Sequence, residues 1–156
     1  AGYLLGADYG NKHVLYISSY HPAFPTFNQQ VEGIKSVFVK DKILLDIEFM
    51  DTKRFPDPEN IRSFHNILSF KLKKLPQYDA VIAADDAAFN YAVSQGDNLF
   101  KNIRIFYCGV NNIPRTQSLA NNTQIRGVVE AVSMEDTLRL IRDIFPERKK
   151  LAVITD

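Results

Sequence analysis

Three short runs in this chain, "HVLYIS" (His13 to Ser18), "DAVIAA" (Asp79 to Ala84) and "IRIFYC" (Ile103 to Cys108), are apolar at both odd and even positions. Successive side chains of a strand point to opposite faces. A run that is apolar at both parities must therefore be covered on both sides, which is what a parallel sheet flanked by helices demands.

The segments between these runs carry a helical period. Thr26, with Gln29 three residues on, has the spacing of a capping box. Phe27, Val31, Ile34 and Phe38 then fall on one helical face. Ile43 to Met50 reads as a second strand, in which Asp46 and Glu48 alternate with Leu45, Ile47 and Phe49, the pattern of an edge strand with one wet face. Asp57 is placed to cap a further helix, with Pro58 at its first position, where a missing N–H costs nothing. Ile61, Phe64, Leu68 and Leu72 make its stripe. The run Asp79 to Ala84 ends in Asp85-Asp86. A helix from there to Gln95 turns Ala88, Phe89 and Ala92 inward, with Gly96 in the C′ place. After the strand Ile103 to Cys108 and an irregular stretch, Ile125 to Val132 reads as a fifth strand. Ser133 caps a helix through Phe145, and Leu151 to Thr155 reads as a sixth strand. Alternating strands and helices with short links predict an α/β fold with right-handed crossovers. With the second strand at an edge, the expectation is a doubly wound, Rossmann-like five-stranded parallel sheet in the order 2-1-3-4-5.

The chain has 156 residues, of which 46% are hydrophobic and 24% charged. That is enough apolar material to build a core. Its net charge of +1 gives no footprint for nucleic acid. The basic groups Lys71-Leu72-Lys73-Lys74 and Arg148-Lys149-Lys150 fall where helices end and oppose the helix dipole there. No apolar run reaches the length of a membrane span, and no signal-peptide pattern is read at the start, as would also hold for a processed chain. Cys108, the one cysteine, has no partner for an internal disulfide.

In an open parallel sheet, ligands bind beyond the carboxyl ends of the strands, where the strand order reverses. The polar clusters of this sequence stand at such ends. Strand one closes in Ser18-Ser19-Tyr20-His21, strand three in Asp85-Asp86, strand four in Gly109-Val110-Asn111, and strand five near Glu130. In a binding role, the hydroxyls of Ser18, Ser19 and Tyr20 offer hydrogen bonds, and Tyr20 or His21 offers a ring for stacking. Asp85 and Asp86 are suited to a cationic group such as an amine. Each cluster also has a structural reading: one aspartate of the pair caps its helix, Asn111 sits in a turn, and Glu130 is a solvated edge residue. Asp86 is the expected cap and Asp85 the residue that faces the cleft.

Other chemistries lack their parts. A receiver domain needs acidic residues after strand one, where this chain has Ser18-Ser19. A nucleophile elbow at Cys108 would need a leading glycine that "FYCGVNN" does not have. Neither phosphate-binding glycine motif occurs. The histidines, His13, His21 and His65, have no metal spacing.

The segments "VLYISSYHPAFPTFNQQVEGI", "IEFMDTKRFPDPENI", "YDAVIAADDAAFNYA", "IFYCGVNN" and "RGVVEAVSMEDTLRLIRDIFPERKKLAVITD" together resemble the ABC-transporter substrate-binding-like sensor domains, which are similar to type I periplasmic binding proteins. The resemblance implies two α/β lobes that close on a small molecule. It also implies a membrane-anchored, extracytoplasmic or periplasmic receptor feeding a histidine kinase or diguanylate cyclase, with no catalysis and no cofactor. By that layout residues 1–12 are a tag remnant or loose terminus, 13–132 the first lobe, and 133–156 the truncated start of the second. The implied partners are a small-molecule ligand, for which Asp85 and Asp86 suggest an amine, the missing second lobe and downstream signalling domains, with a second copy of the chain as a further candidate. The competing reading is a cytoplasmic α/β enzyme or receiver-like regulator using Asp85 or Asp86.

Overall fold

The computed structural model describes residues 12–131 and 133–153. Among them, five strands and five α-helices alternate: β1 (His13–Ser18), α1 (Phe27–Phe38), β2 (Leu44–Phe49), α2 (Pro58–Leu72), β3 (Ala80–Ala84), α3 (Asp85–Ser94), β4 (Arg104–Val110), α4 (Ile113–Ser118), β5 (Ile125–Val129) and α5 (Met134–Ile144). The strands form one all-parallel sheet in the order β2-β1-β3-β4-β5, the doubly wound order expected from the sequence. The register pairs Leu15 with Asp46 on one side and with Val81 on the other. It carries through Ile82 opposite Phe106 to Phe106 opposite Arg126. A bulge interrupts the β4–β5 pairing between Tyr107 and Val110.

The apolar parities explain the two layers. One face of the sheet gives Leu15, Ile17, Val81, Ala83 and Ile105 to a core shared with Phe64 and Leu68 of α2 and Ala88, Phe89 and Ala92 of α3. The other face gives Tyr16 and Ala84 to a smaller cluster with Val31 of α1. Phe27 and Ile34 of the same helix pack on that cluster. Burying a residue such as Phe89 contributes roughly 1.5–3 kcal/mol. These stripes, and not helix propensity, hold the helices to the sheet.

Several local expectations are corrected. Thr26 precedes α1 but is already helical, at φ −83° and ψ −16°, and its side chain caps nothing. The chain turns earlier: the Phe27 amide donates to the Phe24 carbonyl, so the hydroxyl has no open first turn to fill. Asp57 and Ser133 hold the cap positions of α2 and α5 without a side-chain bond, their carbonyls accepting from the Asn60 and Thr137 amides instead. Gly96 follows α3 without the left-handed conformation, because the turn continues with its amide donating to the Val93 carbonyl. The wet face of β2 is half covered. Asp46 accepts from the Tyr78 hydroxyl at 2.6 Å and pairs with the His13 ring at 2.9 Å, while Glu48 pairs with Lys71 at 2.7 Å. The stretch read as irregular holds α4, whose first turn is capped by the Asn112 side chain accepting from the Arg115 amide at 3.1 Å. β5 ends at Val129, short of the predicted Val132. Residues 151–153 form no strand, and the rest of the sixth strand lies outside the described residues. So do residues 1–11 of the expected loose terminus, while Lys12 is tied to Asp79 at 2.8 Å.

Candidate functional site

β1 is the point of reversal: β2 lies on one side of it and β3 on the other. The crevice that this topology opens lies between the ends of β1 and β3. In this molecule Ser19 occupies it. The Ser19 side chain is fully buried; its hydroxyl donates to the Ala84 carbonyl at 2.7 Å and accepts from the Ala88 amide at 2.8 Å. The free amides at the start of α3 therefore find an acceptor beyond another strand, 69 residues away in sequence. Neither Asp85 nor Asp86 caps α3, whose N-cap position is Ala84. That corrects the expected cap at Asp86, and the hydroxyl of Ser19 is spent on the fold, not offered to a ligand. Ser18 is buried too, and its hydroxyl accepts from the Tyr20 amide at 3.3 Å.

The remaining candidates divide into two groups. Tyr20 and His21 belong to a loop that closes on itself. The Tyr20 ring stacks on Phe24 with centroids 4.1 Å apart, and Nδ1 of His21 accepts from the Ala23 amide. Lys53, from the loop after β2, places its ammonium 5.2 Å from the Phe24 ring centre and 5.8 Å from that of Tyr20. The attraction is between the cation and the ring quadrupole. Thr52 ties the same loop to the Ser19 carbonyl through both its amide and its hydroxyl. Asp51, at φ 54°, is clamped by Arg54, whose hydrogen bond holds the carboxyl below its usual range.

The second group surrounds Asp85. Asp86 points to the loop after β4, where its carboxylate accepts from the amides of Asn111 and Asn112 at 3.2 and 3.1 Å. Glu130 is exposed, and its amide donates to the Val110 carbonyl at 2.9 Å. Asp85 is only 8% exposed, at φ 68°. Its carboxyl has no hydrogen-bond partner among the described residues. Gly109 makes room for it. At φ 66°, a Cβ on Gly109 would stand 2.8 Å from Oδ1 of Asp85. The bulge in β4 thus brings bare backbone against the carboxyl, an approach that glycine allows. Burial, together with the charges of Glu130 and Asp86, pushes the Asp85 carboxyl up to about 6, since both effects disfavour the ionised form.

Two residues near this carboxyl went unnoticed in the sequence. Tyr16 donates its hydroxyl to Oε1 of Gln30 at 2.7 Å, and Nε2 of Gln30 stands 3.5 Å from the Cβ place on Gly109. The signal was there: a phenol inside an otherwise apolar strand needs a partner. Cys108 is a half-buried thiol pushed up to about 11 by burial and then by Asp85, which leaves it protonated and a poor nucleophile. No group of three or more His, Cys, Asp or Glu residues suited to a metal ion occurs among the described residues.

Fold and site together define a doubly wound parallel α/β domain with a sunken carboxyl at the C-terminal edge of its sheet. No protein-family model, curated protein or solved structure matches this chain.

Proposed function

We propose that this chain is one lobe of an extracytoplasmic small-molecule sensor, and that it binds the amine group of a small ligand at the C-terminal edge of the sheet. The observation that carries this reading is Asp85. Its carboxyl belongs to a nearly buried residue, has no hydrogen-bond partner among the described residues, and is held in a left-handed conformation within reach of the charges of two further carboxylates. A partly enclosed acid with no donor beside it is costly to ionise. An ammonium beside it supplies the missing partner and relieves the repulsion from Asp86 and Glu130. Ser18 and Ser19 support the rim as scaffold, and the exposed amide side chain of Asn111 offers neutral hydrogen bonds. An open lobe buries only one side of its ligand, so the affinity of this chain by itself is weak and a second lobe supplies the rest.

The test is an amide-resolved NMR titration of the chain with a set of small amines and their neutral isosteres. Binding predicts shifts confined to residues near Asp85, Gly109 and Asn111, seen with amines only and lost in Asp85→Asn. Equal responses to amine and isostere, or responses that survive the substitution, overturn the reading. The backbone strain and raised carboxyl of Asp85 also suit an enzyme or receiver-like regulator. In that case acetyl phosphate would label Asp85 or Asp86.

A further inference from the structure

The Asp85 carboxyl has a neighbour whose hydrogen bonds are also unspent. α1 packs on the face of the sheet that carries Tyr16, and Gln30 in its first turn meets the Tyr16 hydroxyl. That hydroxyl donates to Oε1 of Gln30 at 2.7 Å, so the acceptor end of the amide is taken. Burial, and then the proximity of Cys108 and Asp85, push the Tyr16 phenol up, so it keeps its proton and stays the donor. The other end of the amide, Nε2 with its two N–H donors, has no partner among the described residues. Turning the amide over would bring Oε1 toward Asp85 and set acceptor against acceptor.

Nε2 of Gln30 and Oδ1 of Asp85 flank one gap. The place that a Cβ at Gly109 would take stands 3.5 Å from the first and 2.8 Å from the second, and glycine leaves it open. The gap therefore has a carboxyl on one side and a neutral donor on the other. The surrounding charge decides what the donor can receive. Beyond burial, Glu130 and Asp86 disfavour the ionised form of Asp85. An ammonium neutralises Asp85 and leaves those two carboxylates in place. A carboxylate on the same ligand would be repelled by them and would meet only a neutral amide. A carbonyl or hydroxyl oxygen takes the same hydrogen bond without that repulsion.

We propose that Gln30 determines which amines this edge accepts: Nε2 donates to a neutral oxygen next to the ligand's ammonium, so the ligand class is amino amides and amino alcohols, ahead of simple amines and of amino acids with a free carboxylate. This selection presupposes the amine site at Asp85. Tyr16 is the positioning residue, because its hydroxyl holds Oε1 and so turns Nε2 to the gap.

An NMR titration with probes that share one primary amine tests this. Propylamine has no acceptor, ethanolamine adds a hydroxyl, glycinamide a neutral carbonyl and glycine a carboxylate. The wild-type chain should bind glycinamide and ethanolamine roughly two- to tenfold more tightly than propylamine, which is the worth of one neutral hydrogen bond, and should bind glycine least. Gln30→Glu keeps an acceptor for Tyr16 and removes the donor, so the ratio of glycinamide to propylamine affinity should fall to one or below. Tyr16→Phe should lower the same ratio, whereas a merely structural loss would weaken both probes and leave the ratio as it was. The amide spectrum of each variant checks its folding, and the wild-type series stands without them. Equal affinities for all the probes, or a preference that survives Gln30→Glu, would overturn the role of Gln30 and leave the amine site standing. No response to any of the amines would overturn both.

Discussion

Replacing Asp85 by asparagine separates the cost of this residue from its shape. Asp85 sits at φ 68°. Asparagine tolerates that left-handed backbone and keeps nearly the same volume, so the change removes the charge and little else. The folded protein raises the carboxyl from 3.8 to about 6. Each tenfold change in proton affinity is worth about 1.4 kcal/mol, so the shift sets an upper bound of about 3 kcal/mol, and solvent screening of a partly enclosed carboxyl brings the cost of ionised Asp85 to roughly 1–2 kcal/mol. Between pH 4 and 6 the folded state binds more protons than the unfolded one, so stability falls as pH rises through that window. Above it the full cost is present; below it the carboxyl is neutral in both states and the cost disappears. Asp85→Asn is therefore expected to stabilise the chain by roughly 1–2 kcal/mol at pH 7, a rise of roughly 2–8 °C in Tm, and to change little near pH 3.5. Urea unfolding of both proteins at a series of pH values measures this. Subtracting the two curves cancels Asp51 and Asp79, whose carboxyls are held low by hydrogen bonds from Arg54 and Lys12 and whose contribution is lost in acid. Parallel curves from pH 4 to 7, or a variant less stable than wild type at pH 7, would refute the reasoning that the fold holds the Asp85 carboxyl at a cost when it is ionised.

Ser19→Ala should destabilise the chain by roughly 1–3 kcal/mol, because a buried amide that loses its acceptor keeps its desolvation cost. The amide concerned is that of Ala88; its hydrogen exchange should speed up, and an unchanged Tm would show that the hydroxyl does not cap α3. Gly109→Ala should cost roughly 2–3 kcal/mol, since a side chain on a left-handed backbone is strained. Its Cβ would also press on Oδ1 of Asp85. Urea midpoints within error of wild type would contradict the close approach described at the bulge.

The strands and their order were legible because they rest on local patterns. A run apolar at both parities can only be an interior strand, as His13–Ser18 and Ala80–Ala84 are, and the alternating charges of Leu44–Phe49 assigned β2 to the edge. The positions of the candidate site followed from the same patterns, since every strand of a parallel sheet ends on one side. The role of each side chain there did not follow, because its partner is remote in the chain. Ser19 looks like a rim hydroxyl until β3 is set beside β1, when it becomes the cap of α3. Asp86 looks like that cap until the loop after β4 arrives with two amides, 25 and 26 residues on. Asp85 acquires its left-handed backbone and its raised carboxyl only where Gly109, Asp86 and Glu130 meet it. Periodicity and burial parity are properties of neighbouring residues, and the sequence alone determined what depends on them. Hydrogen-bond partners and buried charge are properties of segments brought together across the sheet, and only the tertiary structure decided those.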